Sequence, residues 1–362
     1  MEIFFYQAEC GDAARIRFYD KHNNPKNILI DSGYERTFDH VLKNEIKELI
    51  DNNERLNLCV ISHIHDDHIG GIIKYIKTIN SGELEDIVDE WFYNPPRNYK
   101  MLGFREQEEL ISYPASIGQG DDLFYYINSK GKLLDFDISD ELKQIEFGNL
   151  KMTFLSPSNG KLNALRKKYK SEHTFLESIE DDSISEAVSV RDFDYITKIE
   201  DFDLNDWKED RSIENGSSIT FLTEYENIKV LWLSDSHPTD IVKSLKELGY
   251  SKDNKVVCDW VKVAHHGSPG NNSNELYSII DCTNYLISAN GENKHFLPTK
   301  QSLVRILLNK NRDFKKKYLF YFTYDNFTLR DIFKVDGNTA FKKWNFEVKY
   351  LTDSKYCYFN LK

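Results

Sequence analysis

Short runs of apolar or alternating residues, split by polar turns, open the chain. They predict strands over 3–6, 14–19 and 27–30, the last two joined by a Lys-His-Asn-Asn-Pro turn. The period then changes. Val41, Leu42, Ile46, Leu49 and Ile50 recur at helical spacing and predict a helix over 39–52. An apolar run at 56–61 reads as a strand, and Ile72, Ile73 and Ile76 mark the buried face of a helix at 71–79. Further strands are expected at 86–94, in two pieces about Gly148-Asn149 within 145–154, and at 217–223, 229–233, 255–263 and 284–288. Helices are expected at 105–111, 240–248, 275–280 and 300–308, and closing strands at 317–324, 327–333 and 344–359. Between 158 and 214 the pattern weakens. A basic helix-like piece (Lys161, Arg166, Lys167, Lys168, Lys170) leads into an acidic stretch. This region reads as an insertion, partly mobile and lying near or over the active site, whose deletion over 175–210 should leave the core folded.

With 362 residues, 40% of them hydrophobic, the chain can bury a large core in one domain, or in one domain plus an insertion. No apolar run reaches the length of a membrane-spanning helix, and the first residues have neither a basic start nor a long apolar stretch. Five cysteines, odd in number and without metal or redox spacing, read as reduced thiols. The expectation is a cytoplasmic protein with no membrane partner. A net charge of −12 first argues against a polyanionic partner. However, residues 172–214 hold fifteen acidic and four basic residues, so the rest of the chain is close to neutral.

One stretch concentrates the candidate chemistry. His63-Ile-His65-Asp66-Asp67-His68 directly follows the apolar run 56–61. Imidazole and carboxylate together bind borderline and hard divalent ions. His63 and His65, two residues apart, face the same side of an extended loop. Asp67 and His68 follow where the chain turns and can serve a second ion.

This motif resembles the signature of the metallo-β-lactamase superfamily. Other segments carry the resemblance in the family's order: Gly11-Asp12-Ala13, Ile28-Leu-Ile-Asp31-Ser-Gly33 and Leu231-Trp-Leu-Ser-Asp235. They continue through Val261-Lys-Val-Ala-His265-His266-Gly267-Ser268, Ile287-Ser-Ala-Asn290 and His295-Phe-Leu-Pro298. The His-His-Gly-Ser form is similar to that in the hydrolase domain of ComEC-type competence proteins and in related phosphorylcholine esterases. The resemblance implies an α/β fold, a four-layer αββα sandwich, spanning 1–308 with the insertion at about 158–214. Residues 309–362 would be a C-terminal β-rich extension packed on it.

The resemblance also implies two divalent metal ions, with zinc expected and manganese the alternative. His63 and His65 would bind one ion, Asp67 and His68 the other, and Asp235 would bridge them. One of His265 and His266 would complete the second ion. Adjacent residues at a strand end point opposite ways, so we read His266 as the ligand and His265 as facing substrate, with the reverse left open. Asp67, His265 and His295 are the catalytic candidates, His295 as a proton or hydrogen-bond donor or else a surface loop histidine. Asp31 is expected behind the ligands. The chain departs from the family where a third histidine would serve the first ion, since Glu214-Asn215-Gly216-Ser217-Ser218 has none. His173 and His237 are the substitutes considered.

The expected function is hydrolysis of phosphate esters, by a phosphodiesterase or nuclease that uses a hydroxide held between two metal ions. Basic clusters at 161–170 and 310–317 would suit a nucleic-acid substrate, or would be solvated faces. The alternatives are a metallo-hydrolase of an ester, thioester or lactam, and a non-catalytic partner or effector of a bacterial defence system. A protein partner is left open.

Overall fold

The computed structural model describes residues 1–97, 115–169, 193–352 and 354–361. Strands β1 (Glu2–Tyr6), β2 (Ala13–Tyr19), β3 (Pro25–Ser32), β4 (Leu56–Ile61) and β5 (Val88–Tyr93) lie side by side in one sheet. β1 to β3 are antiparallel, and β3 to β5 run parallel. The hairpin β6 (Gln144–Phe147) and β7 (Leu150–Ser156) opens a second sheet. It continues through β8 (Thr220–Tyr225) and β9 (Ile228–Trp232). A short parallel pair, β10 (Val256–Val257) and β12 (Ile280–Asp281), lies apart. The second sheet proceeds from β9 to β11 (Trp260–Lys262), β13 (Asn284–Ile287), β14 (Tyr318–Phe322) and β15 (Phe346–Tyr350), all parallel. The last strand, β16 (Tyr356–Asn360), crosses back and pairs antiparallel with β1.

Alternation along the strands builds the layers. Ile3 and Phe5 of β1, with Leu58 and Val60 of β4, pack against Phe221, Val230, Trp232 and Trp260 of the second sheet. Phe4 and Tyr6 face the other way, onto Ile46 and Leu49 of the helix Lys43–Asp51 and Ile69, Ile72 and Ile73 of the helix Asp66–Asn80. Beyond the second sheet, Leu231 and Val261 pack on Ile241 and Leu245 of the helix Pro238–Glu247 and on Leu303 and Val304 of the helix Lys300–Leu307. Helix, sheet, sheet, helix is therefore the order of layers, with three apolar interfaces. No helix among the described residues is long and apolar enough to cross a membrane. All five cysteines are buried free thiols.

Several expectations change. The helix after the metal-binding stretch begins at Asp66, not at 71. Two carboxylates in its first turn face the positive end of the helix dipole, which favours the early start. Residues 327–331 form a helix, not a strand, because Asn326 caps it by accepting from the Leu329 N–H at 3.0 Å. No structural break falls at 308: β14 and β15 extend one sheet and β16 the other, so the last residues are built into both sheets rather than packed on them. The helix expected at 105–111 lies outside the described residues, as do 170–192 of the insertion.

From 193 on, the supposed insertion is bound to the body of the protein. Asp194 accepts the Lys300 and Gln301 N–H groups at 2.7 and 2.8 Å. The buried Lys300 ammonium joins Thr197 O at 2.6 Å to Asp336 at 2.5 Å. Buried Arg305 donates to Leu204 O and Asp206 O at 2.6 and 2.7 Å. Deletion through 210 would remove these ties, so 193–210 is expected to contribute to the stability of the core.

Candidate metal centre

Strand ends from both sheets meet at one edge of the sandwich. After β4 the chain is turned by Asp31, whose carboxylate accepts from Ser62 N–H and Ser62 Oγ, each at 2.7 Å. Its second oxygen also lies 2.9 Å from His68 Nδ1. Gly71 lets the following helix close onto β3, since a Cβ there would stand 2.1 Å from Ser32 O. Gly11 similarly leaves room for the backbone of Asp67, 2.4 Å from where a Cβ would be.

The imidazoles point inward by their outer partners. His68 Nδ1 is engaged by Asp31, and His266 Nδ1 lies 2.9 Å from Ser288 O. His265 Nδ1 lies 2.8 Å from Asn271 Oδ1. His63 Nδ1 lies 3.1 Å from Ser62 Oγ, and its Nε2 is 3.0 Å from His65 Nδ1. The inward Nε2 atoms surround Asp235 Oδ2: His68 at 3.3 Å, His265 at 3.5 Å, His63 at 3.8 Å and His266 at 3.9 Å. Asp67 Oδ2 stands 3.2 Å from His266 Nε2 and 3.7 Å from His68 Nε2.

His63, His65, Asp67, His68, Asp235, His265 and His266 are thus brought together. His295 is an exposed loop residue whose imidazole interacts electrostatically with His265 and Asp67, which sets it at the rim. His237 is engaged elsewhere: its Nδ1 lies 2.8 Å from Lys161 Nζ and its ring rests on Gly216. His173 lies outside the described residues.

The strand-end argument for His265 and His266 does not apply. β11 ends at Lys262, and the two histidines form a tight turn with φ of 43° and 51°. Asp31 at 53° and Ser234 at 42° are left-handed as well. Four non-glycine residues in this region, each costing on the order of 1 kcal/mol, gather around one centre.

Burial raises the pKa of the Asp235 carboxyl, but His265, His68 and His266 hold it well below the usual carboxylate range. Asp12 is likewise buried yet pulled down to about 2 by Lys262 and His266. Burial, with His68 and His65 beside it, keeps His63 neutral. Both Asp235 oxygens and the Nε2 atoms of His68 and His266 are buried without a hydrogen-bond partner. Unpartnered lone pairs at these separations fit cations bound about 2.0–2.2 Å from each donor.

Asp12, His68, Asp235 and His266 bring donor atoms within 4.8 Å of one another. Asp12, however, faces the Nδ1 side of both rings, at 3.3 Å from His266 and 3.9 Å from His68, and is ion-paired with buried Lys262. It orients the histidines from behind. Asp12, Lys262, Asp210 and Asn271 were missed as site residues in the sequence. Asp210 lay within a run of acids that composition alone cannot sort.

Residues 21–132 match the metallo-beta-lactamase superfamily. The matched segment carries His63, His65, Asp67 and His68, while Asp235, His265 and His266 lie beyond it. No curated protein sequence matches the chain. Among solved structures, a mutant of the CmlA beta-hydroxylase matches at 12% identity with a TM-score of 0.39, over 99% of this chain and 54% of that one. The chain thus spans about half the length of that neighbour.

Proposed function

We propose that this protein is a metal-dependent hydrolase of phosphate esters, acting on phosphodiesters. The observation that carries the proposal is the buried Asp235 carboxylate, unpartnered and ringed by four imidazole Nε2 atoms. Two divalent cations held there, zinc first and manganese second, would supply a hydroxide nucleophile and stabilise charge on the leaving oxygen. His63, His65, Asp67, His68, Asp235 and His266 would hold them. Asp31, Asp67 and Asp235 contribute three negative charges against the four positive charges of two divalent ions, since His68 is neutral as a ligand, and Asp12 is paired with Lys262. The loaded centre would therefore be net positive and suit an anionic substrate. His295 is exposed at the rim, yet partial desolvation of its ring beside Lys294 and His265 lowers its pKa, so it offers a neutral imidazole for a hydrogen bond to the scissile group. The His-His-Gly-Ser segment, similar to that of ComEC-type proteins and phosphorylcholine esterases, supports the choice of a phosphoester.

The basic clusters give nucleic acid less support than their composition suggests. Arg166 is paired with Asp137, Lys168 with Glu214, Lys316 with Asp281 and Lys317 with Glu347. Arg312 is buried on Leu307 O and Asn345 O. Nucleic acid therefore enters as one phosphodiester among several. The test is turnover by zinc- or manganese-loaded protein of a small aryl phosphodiester, single- and double-stranded DNA, RNA, an ester, a thioester and a β-lactam. Metal-dependent cleavage of phosphodiesters is expected. Turnover confined to the ester, thioester or lactam would overturn the assignment.

A further inference from the structure

His65 and His63 lack the third imidazole that their ion would need, and the second set is already full. Asp67, His68 and His266 stand together beside Asp235. His265 Nε2 approaches Asp235 Oδ2 at 3.5 Å, the same oxygen that His63 Nε2 approaches at 3.8 Å.

Its other nitrogen is tied to the segment 193–216. Asp210 Oδ2 accepts from Asn215 Nδ2 at 2.6 Å and from Asn271 Nδ2 at 3.1 Å. Asn271 Nδ2 also donates to Asp235 O at 2.9 Å. With its amide nitrogen facing Asp210 and the backbone oxygens of Asp235 and Ser236, Asn271 must turn its oxygen toward His265 Nδ1, at 2.8 Å. That oxygen can only accept. As a neutral ligand His265 would therefore keep its proton on Nδ1 and aim a bare Nε2 at the centre. Asp210 itself is 3.6 Å from His265 Nδ1, too far to replace Asn271. It is held by Ser212 N–H at 2.9 Å and by its own N–H on Gly270 O at 3.2 Å.

We propose that Asp210, acting through Asn271, is a positioning residue that fixes the tautomer of His265 so that its Nε2 completes the ion position of His63 and His65. The inference rests on the metal-binding part of the function proposed above and not on the substrate. In Asp210→Asn an amide nitrogen or oxygen faces the two donors that the carboxylate accepted. Asn271 then keeps only the backbone acceptors Asp235 O and Ser236 O, and its flipped amide, which presents the nitrogen to His265 and moves the imidazole proton to Nε2, gains population.

The experiment is calorimetric titration of zinc into metal-stripped protein, with folding followed by circular dichroism. Two binding steps are expected for the natural sequence. Asp210→Asn should weaken one step about 10- to 100-fold and spare the other, as loss of an outer partner of a ligand histidine does. His265→Ala should abolish that same step, and His266→Ala the other. The exchanged pair Asp210→Asn with Asn271→Asp keeps an acceptor on His265 Nδ1 and should recover part of the loss, which a purely structural role would not. If Asp210→Asn does not fold, Asn271→Leu against Asn271→Asp makes the same comparison, with only the leucine weakening the step. Two unchanged steps in Asp210→Asn, or loss of the same ion in both histidine variants, would overturn the proposal. No substrate is used, so failure of phosphodiester turnover leaves this test intact.

Discussion

Asp235 has two carboxylate oxygens buried with no hydrogen-bond donor, a costly arrangement unless a cation shares the site. Removing this side chain should therefore affect the ion-free and metal-loaded protein differently. In Asp235→Ala we expect metal content to fall and turnover to drop to background, while the stability of the metal-stripped protein stays within about 1 kcal/mol of the natural sequence. Metal analysis together with urea unfolding in chelator checks both. Natural metal content in the variant would show that Asp235 is not the bridge. At this scale the sequence was informative where chemistry is dense. His63, His65, Asp67 and His68 lie within six residues, and their meeting with Asp235 and His266 followed from motif order alone. Asp12 and Asp210 were not legible as site residues, since their roles depend on partners 250 and 61 positions away: Lys262 for Asp12 and Asn271 for Asp210. The split between His265 and His266 was misjudged in its reasoning because a strand was extended through a left-handed turn.

Among the elements, the segment 193–216 shows how composition misleads. It read as a partly mobile insertion, yet Asp194, Asp210 and Glu214 are held by Lys300 N–H, Asn271 and Lys168. The anchor with the clearest consequence is Arg305, whose guanidinium donates to two backbone carbonyls of this segment from the helix Lys300–Leu307. Arg305→Ala should destabilise the protein by on the order of 3 kcal/mol, since charged hydrogen bonds contribute about 1.5–3 kcal/mol each. Proteolysis should move into 193–210. Lysine at 305 should restore only part, because a single ammonium cannot span two acceptors as the planar fork does. Urea midpoints and cleavage maps decide; unchanged values would mean that the segment is held by its other contacts. A second element-scale case is the seat of the helix Asp66–Asn80 on β3. Gly71→Ala places a methyl against Ser32 O, and overpacking of this kind costs about 1–3 kcal/mol. A fall in stability together with weaker zinc binding is expected; unchanged zinc affinity would show that the helix can shift without moving Asp67 and His68. Strands that alternate apolar and polar residues, such as β2 with Ile16, Arg17 and Phe18, were readable in advance. The helix Phe327–Asp331 was not, because its apolar spacing fits either period and its cap decides.

Across the whole molecule, the candidate metal centre joins the two halves of the sandwich. Asp31 and His63 come from the strand ends of the first sheet and His68 from the helix that follows, and Asp235, His265 and His266 come from beyond the strand ends of the second. The αββα order was legible through the motifs, but the closure of both sheets by the last residues was not, since strand partners this distant leave no local signal. Truncation after 308 would strip β14 and β15 from one sheet and β16 from the other, leaving β13 and β1 as new edges. Such a chain should aggregate rather than fold. Removal of metal should be milder. The interface between the sheets is apolar and continuous, so the ion-free protein should keep its secondary structure. A ligand present at a hundred times its dissociation constant adds about 2.7 kcal/mol to the folded state. Two ions at that excess would add roughly twice as much, which corresponds to a fall in Tm of several degrees or more on chelation. Calorimetric scans of the natural protein and of Asp235→Ala, each with zinc and with chelator, separate the contributions. The natural protein should show the shift and the variant little of it. Equal melting temperatures for the natural protein in both conditions would mean that the cluster binds no ion strongly enough to act, and the hydrolase reading would lose its support.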